Sequence, residues 1–299
     1  MTPPDINYRS IVESASVLIW VADTSGGCVW FNRMWLQFTG RTLEQEFHSG
    51  WTTGVHSDDL DRCLAIYTAA FAARQPFSME YRLRHHSGEY RWIVDNGAPL
   101  YDDQCAFLGY AGACWDISDR KAGEERIRHM AQFDFLTDLP NRALFYDRLD
   151  QLLTSAQRYQ RHFALLFIDL DNFKPINDTH GHEMGDEVLR LVARRLVSQV
   201  RASDTVARHG GDEFVLLAPE IDTPAEAVSL AAKIVARLGE PLPVRGQILS
   251  VSCSVGIAIY PQDGRDVSTL IQAADGAMYL AKTGGRNAWR MASGDATPT

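Results

Sequence analysis

Residues 206–220 read VARHGGDEFVLLAPE: two apolar, strand-like runs that meet at Gly210 and Gly211, with Asp212 and Glu213 directly after the glycines. Paired glycines let a chain reverse tightly, so the spacing predicts a hairpin here. The glycines also remove side chains where a ligand could approach. Upstream, residues 162–170, HFALLFIDL, form an apolar run of strand length that leads into Asp169-Leu170-Asp171. Carboxylates at the ends of rigid strands are exposed yet fixed in place. Such hard oxygen ligands suit Mg²⁺, which takes one or two carboxylates, keeps several waters and shares substrate phosphates. Taken alone, an Asp-x-Asp and a Gly-Gly-Asp-Glu turn are more often ordinary turn chemistry than a metal site.

Around these two segments helical and strand patterns alternate. Helices are predicted over residues 141–158, 185–200, 224–238 and 267–282, and a further strand over 248–260. Helices laid over an antiparallel-rich sheet imply an α+β domain. The chemical character of the chain changes near residue 116, because six of the seven tryptophans and four of the five cysteines precede it. From Ser16 onward this earlier part reads as two strands around a Ser-Gly-Gly turn and a helical stretch ending at Gly40. A helix opening at Asp58-Asp59 and three strand-like runs, FSMEYRLR, YRWIVDNGAPLY and FLGYAGACWDI, follow. A charged, proline-free stretch from Asp116 to Phe133 predicts a connecting helix, either a solvated linker or a dimeric stalk. The expected organisation is a first domain over 8–118, a linker helix over 119–133, a second domain over 134–292 and a polar, disordered tail over 293–299.

A net charge of -9 argues against a broad basic surface for nucleic acid or anionic membrane, so any anionic ligand must be held locally. Five scattered cysteines without a close pair fit a reducing compartment. Neither a signal peptide nor a run long enough to span a bilayer is evident, and the expectation is a cytoplasmic protein without membrane insertion. His180 and His182 flank a loop glycine but have no further ligand partners in sequence, and are assigned no metal.

The first domain resembles a PAS domain. The likeness rests on Asp23-Thr24-Ser25-Gly26, Asn32, Phe38-Thr39-Gly40, Val55-His56-Ser57-Asp58-Asp59 and the terminal Asp116-Ile117-Ser118-Asp119-Arg120-Lys121, in that order and spacing. The second domain resembles the GGDEF family across about residues 130 to 292. Asp134-Phe135-Leu136-Thr137-Asp138-Leu139-Pro140-Asn141-Arg142, the segment from Asp169 to Asp178, Gly181-His182 and Gly185-Asp186 carry that likeness. So do Arg208-His209-Gly210-Gly211-Asp212-Glu213-Phe214 and Ala281-Lys282-Thr283-Gly284-Gly285-Arg286-Asn287.

The resemblance implies a palm-like fold related to nucleotidyl cyclases and polymerases, and a diguanylate cyclase that condenses two GTP into cyclic di-GMP as a homodimer. It implies Mg²⁺ (or Mn²⁺) on Asp169, the Leu170 carbonyl and Asp212, with Glu213 completing the acidic cluster. Lys174, Lys282 and Arg286 fall at its phosphate-contacting positions, Gly210 and Gly211 at the nucleotide, and Asn177 and Asp186 at its guanine-reading pair. Arg201 and Asp204, at the family's offset before Gly210, match its product-inhibition site. His209 departs from the usual aromatic or apolar residue, and Pro175 follows the phosphate lysine. The competing reading is a catalytically idle domain that only receives cyclic di-GMP through Arg201 and Asp204. The PAS ligand, whether haem, flavin, metabolite or none, is unknown from sequence.

Overall fold

The computed structural model describes residues 8–293. It divides between Arg126 and Ile127 into two compact units. The expected tail lies outside the described residues except for Ser293.

The first unit opens with α1 (Tyr8–Ser14), β1 (Leu18–Ala22), β2 (Cys28–Phe31), α2 (Arg33–Thr39) and α3 (Leu43–Glu46). After a 3₁₀ turn at Gly50–Gly54 come α4 (Ser57–Ala73), β3 (Phe77–Arg84), β4 (Tyr90–Tyr101) and β5 (Phe107–Asp116). The strands form one antiparallel sheet in the order β2-β1-β5-β4-β3. Asn32 caps α2 by accepting from the Trp35 amide, and Gly40 ends that helix in the left-handed region at φ 68°. Trp20, Trp35, Tyr81, Tyr110 and Ile93 fill the core between sheet and helices. Helix α5 (Ser118–Gln132) follows and contains no buried residue.

The second unit comprises α6 (Arg142–Tyr159), β6 (Phe163–Asp171), α7 (Phe173–His180), α8 (His182–Val197), β7 (Thr205–Gly210) and β8 (Glu213–Ala218). It continues with α9 (Pro224–Leu238), β9 (Leu242–Val244), β10 (Gln247–Leu249), β11 (Ser252–Tyr260), α10 (Val267–Thr283) and β12 (Ala288–Met291). Its main sheet runs β12-β11-β6-β8-β7, antiparallel except for the parallel β11–β12 edge. Every residue of β6 is buried because helices cover both faces of the sheet. That position fixes the end of β6, where Asp169 sits.

Three local expectations are corrected. Residues 173–180 form α7, a helix the sequence pattern did not predict; Pro175 lies in its first turn, where a missing amide donor costs nothing. The helix predicted over 185–200 starts earlier, at His182, and ends at Val197. The strand predicted over 248–260 is broken after Leu249: its first two residues end β10, which pairs with β9 in a short hairpin, and β11 begins at Ser252. Arg245 and Gly246, at φ 46° and 81°, make the turn of that hairpin.

Candidate active site

Strand pairing brings the two acidic segments together. Asp169 stands directly opposite Glu213 in the β6–β8 ladder, and the Leu170 amide donates to the Asp212 carbonyl at 3.2 Å. Gly211, at φ 52°, makes the turn that carries Asp212 back toward β6. Asp169 is buried. Its Oδ2 lies 2.6 Å from Lys282 Nζ, while Oδ1 has no hydrogen-bond partner among the described residues. Burial pushes its pKa up to about 6; Lys282 opposes that rise, and Asp212 and Glu213 add to it. Asp171, two residues on, does different work. It accepts from Ser252 Oγ and Ser254 Oγ, both at 2.7 Å, and from the Asn287 amide at 2.9 Å, which ties the segment after α10 to β6.

Among the described residues no group of three or more His, Cys, Asp or Glu side chains could hold a metal by itself. The donor set nevertheless fits a hard divalent cation. Among the described residues one buried Asp169 oxygen has no hydrogen-bond partner while an ammonium balances the other, and two carboxylates suffice when a triphosphate supplies the remaining oxygens.

The hairpin is braced from outside. Arg208 Nη1 contacts both Asp134 oxygens at 3.0 and 3.1 Å, and the same guanidinium donates to the Gly211 carbonyl at 2.8 and 3.0 Å. Burial pushes the Asp134 carboxyl up, but donors from Thr137 and Arg208 more than offset this and hold it below the usual range. His209 Nδ1 lies 3.2 Å from Glu213 Oε2, with its ring against Phe167 and its buried Nε2 without a partner among the described residues. Asp134 and the His209–Glu213 contact are positioning features that the sequence reading did not assign. Their signal was present in the motif itself.

Lys174 is exposed on the first turn of α7. Asn177, one turn later, abuts α8 so closely that a Cβ on Gly185 would fall 1.8 Å from its Oδ1. Gly185 thereby lets Asn177 sit beside the residue before Asp186. Arg286 is exposed in the left-handed region at φ 63°, just beyond Lys282. Arg201 and Asp204 form their own turn, the Arg201 amide donating to Asp204 Oδ2 at 2.8 Å, beside a cleft of about 390 Å³ that also includes Ser229 and Lys233. Strand β7 separates this turn from Gly210; six residue steps at ~3.3 Å give about 20 Å. The turn therefore lies well away from the Gly210–Gly211 hairpin.

Residues 131–288, over half of the chain, match the family described as diguanylate cyclase, GGDEF domain, and residues 29–113 match the PAS fold. An uncharacterized Sinorhizobium fredii protein, y4lL, is 36% identical over 94% of this chain and 35% of its own length. Diguanylate cyclase TpbB of Pseudomonas aeruginosa is 43% identical over 56% of this chain and 38% of its own. The bifunctional diguanylate cyclase/cyclic di-GMP phosphodiesterase MucR of the same species is 49% identical over 56% of this chain and 24% of its own. The chain thus spans well under half the length of these relatives. The solved GGDEF domain of TpbB superposes with a TM-score of 0.53 at 43% identity, covering 54% of this chain and 94% of that one. The coiled coil and GGDEF domain of Caulobacter crescentus DgcB, solved with cyclic di-GMP, gives 0.53 at 29%, covering 58% and 93%. With its acidic hairpin, helical cover and ordered motifs all within the matched segment, the chain belongs to the diguanylate cyclase GGDEF-domain family and carries a PAS fold ahead of that domain.

Proposed function

We propose that the chain is a diguanylate cyclase that joins two GTP molecules into cyclic di-GMP and releases two pyrophosphates. The observation that carries this reading is the pairing of Asp169 with Glu213 across the β6–β8 ladder, with Lys282 on Asp169. Asp169, the Leu170 carbonyl and Asp212 would hold Mg²⁺ or Mn²⁺, which when bound supplies Lewis-acid charge neutralisation at the triphosphate. Lys174, Lys282 and Arg286 concentrate positive charge for the phosphates in an otherwise acidic chain. Asn177 and Asp186 read the guanine edge: the Asp186 carboxylate accepts from the ring N–H and exocyclic amine, a pattern adenine does not offer. Gly210 and Gly211 leave room for the nucleotide beside the hairpin. The 3′-hydroxyl of one GTP then attacks the α-phosphorus of the other in line.

One such site binds one GTP, so two chains face each other as a two-fold homodimer. Ile127 and Met130, three residues apart on α5, are 70% and 67% exposed and supply an apolar stripe for a partner helix. Arg201 and Asp204 bind product and restrain turnover. The PAS domain, with α5 as linker, sets activity through the alignment of the paired sites in a cytoplasmic signalling protein; the domain limits of 8–118, 119–133 and 134–292 belong to this proposal. The test is incubation of concentrated protein with GTP and Mg²⁺, with Asp212→Ala as control. Cyclic di-GMP from wild type alone is the expected result. No dinucleotide from dimeric wild type would overturn the enzyme reading and favour a cyclic di-GMP receptor.

A further inference from the structure

The first unit has a basic cleft of about 200 Å³ between the end of α2, the 3₁₀ turn and the β3–β4 hairpin. Arg41, Arg84, His85 and His86 line it together with two threonines and two glycines, and no carboxylate does. In a chain with a net charge of -9, that local composition is unusual enough to need a reason.

The cleft is built, not accidental. The His86 amide donates to the Phe38 carbonyl at 2.8 Å, which docks the hairpin against the end of α2. Gly40 permits that approach, since a Cβ there would lie 2.7 Å from His86 Cβ. Arg41 is fixed by Gln45 and Gly50 carbonyls at 2.7 and 3.3 Å through Nη2, and by Glu46 at 2.7 Å from Nε. Its Nη1 is left without a partner among the described residues. The Arg84 guanidinium and the His86 ring make no hydrogen bond or ion pair there either.

His85 is prepared as a donor. Its Nδ1 lies 2.9 Å from Ser87 Oγ and accepts from the Ser87 amide at 3.3 Å, an arrangement that favours the neutral tautomer with its proton on Nε2. Burial, with Arg91 and His86 nearby, lowers its pKa; Asp116 and Glu89 oppose this weakly, and Asp116 is itself engaged by Arg91 at 3.2 Å. The Arg84 guanidinium, the outer edge of Arg41 and the two imidazoles thus line one cleft whose own lining holds no carboxylate, Arg41 being paired with Glu46 on its inner side. The volume is below the roughly 300–1,000 Å³ of sites for larger ligands, which limits the guest to a small anion.

We infer that this cleft binds a small oxyanion, a phosphate or a short carboxylate, through Arg84, the His85 and His86 rings and the free edge of Arg41. The inference is independent of the proposed cyclase chemistry. Full-length protein would be titrated at constant ionic strength with inorganic phosphate, and separately with malonate. The imidazole resonances of His85 and His86 are followed, each assigned from its single His→Gln variant. Both resonances should move saturably with at least one anion, and chloride should move neither. Arg84→Ala should weaken the affinity about tenfold or more, and Arg84→Gln should do the same with less perturbation of the strand end. The anion that saturates at lower concentration identifies the preferred group. Resonances unmoved by both anions, or titrations unchanged in both Arg84 variants, would overturn the site.

Discussion

The ammonium of Lys282, in the last turn of α10, lies 2.6 Å from Asp169 Oδ2 at the buried end of β6. A helix end and a strand end are joined at the point where the acidic cluster would otherwise repel itself. Among the described residues the second Asp169 oxygen has no hydrogen-bond partner, so the ion pair leaves one acceptor in reserve.

Replacing Lys282 by methionine keeps the stem and removes the charge. In metal-free buffer the loss of a charge-assisted bond to a buried carboxylate should cost about 1–3 kcal/mol, read from urea unfolding. Added Mg²⁺ should recover more stability in Lys282→Met than in wild type, because it would take over the vacated oxygen. Identical urea midpoints, with and without Mg²⁺, would mean that the contact contributes nothing.

His209→Phe should raise stability while disturbing turnover. The ring packs against Phe167, with centroids 5.1 Å apart, so an aromatic replacement fits, and a buried nitrogen without a partner is removed. About 1 kcal/mol is the expected gain. Glu213 meanwhile loses its contact at 3.2 Å, so cyclic di-GMP formation should fall even as the melting temperature rises. Both quantities falling together would assign His209 to packing alone.

Gly185→Ala should weaken GTP use without unfolding the domain. The new methyl would collide with Asn177 Oδ1, the end of a side chain that can swing away, and would press on the Phe173 ring at 3.1 Å, which must give by a few tenths of an ångström. Losing one base contact costs about 1–3 kcal/mol, a KM increase on the order of 5- to 150-fold. Steady-state kinetics with an unchanged KM for GTP would remove Asn177 from the guanine-reading pair.

The main elements were legible because their signals are local. Pro224 at the start of α9 and the apolar spacing after it define a helix over the range read from sequence. Helix α7 was hidden by Pro175, which reads as a breaker unless its place in the first turn is known. Strand β12 is four half-buried residues stabilised by parallel pairing with β11, a long-range relation that no local pattern carries. The candidate site divides in the same way. Asp169 and Asp171 share one strand face and look equivalent in sequence. Only the neighbouring chain distinguishes them: Ser252, Ser254 and the Asn287 amide occupy Asp171, while Asp169 is left to Glu213 and Lys282.

Asp95, in the core of the first unit, should make that unit less stable as pH rises. It accepts from Trp20 Nε1 at 2.9 Å, and burial pushes its pKa up to about 6 from an ordinary 3.8. A raised folded-state pKa means that the native carboxyl holds its proton where the unfolded one has lost it. Stability therefore falls between about pH 4 and pH 6 and levels off above, by at most about 3 kcal/mol at 1.36 kcal/mol per pH unit. Asp95→Asn keeps an acceptor for Trp20 and should abolish this slope. Tryptophan emission reports the unit well, since six of the seven tryptophans precede residue 116. A wild-type slope that persists in the variant would place its origin elsewhere.

The last expectation concerns assembly. Helix α5 buries none of its residues within one chain, yet Ile127 and Met130 recur at helical spacing and are 70% and 67% exposed. A solvated linker has no need of two large apolar side chains on one face, whereas a pair of two-fold-related helices buries them against each other. Each such side chain contributes about 1.5–3 kcal/mol when fully buried. Ile127→Asp with Met130→Asp should therefore weaken self-association by at least about a hundredfold, because every 1.4 kcal/mol is tenfold. Sedimentation equilibrium measures this directly. Turnover should fall in parallel at low protein concentration and return as the concentration is raised, since each half-site remains intact and only the encounter is impaired. Association constants equal to wild type would remove α5 from the dimer contact. Weakened association with turnover unchanged at every concentration would instead separate assembly from catalysis, and the requirement for two facing chains would have to be given up.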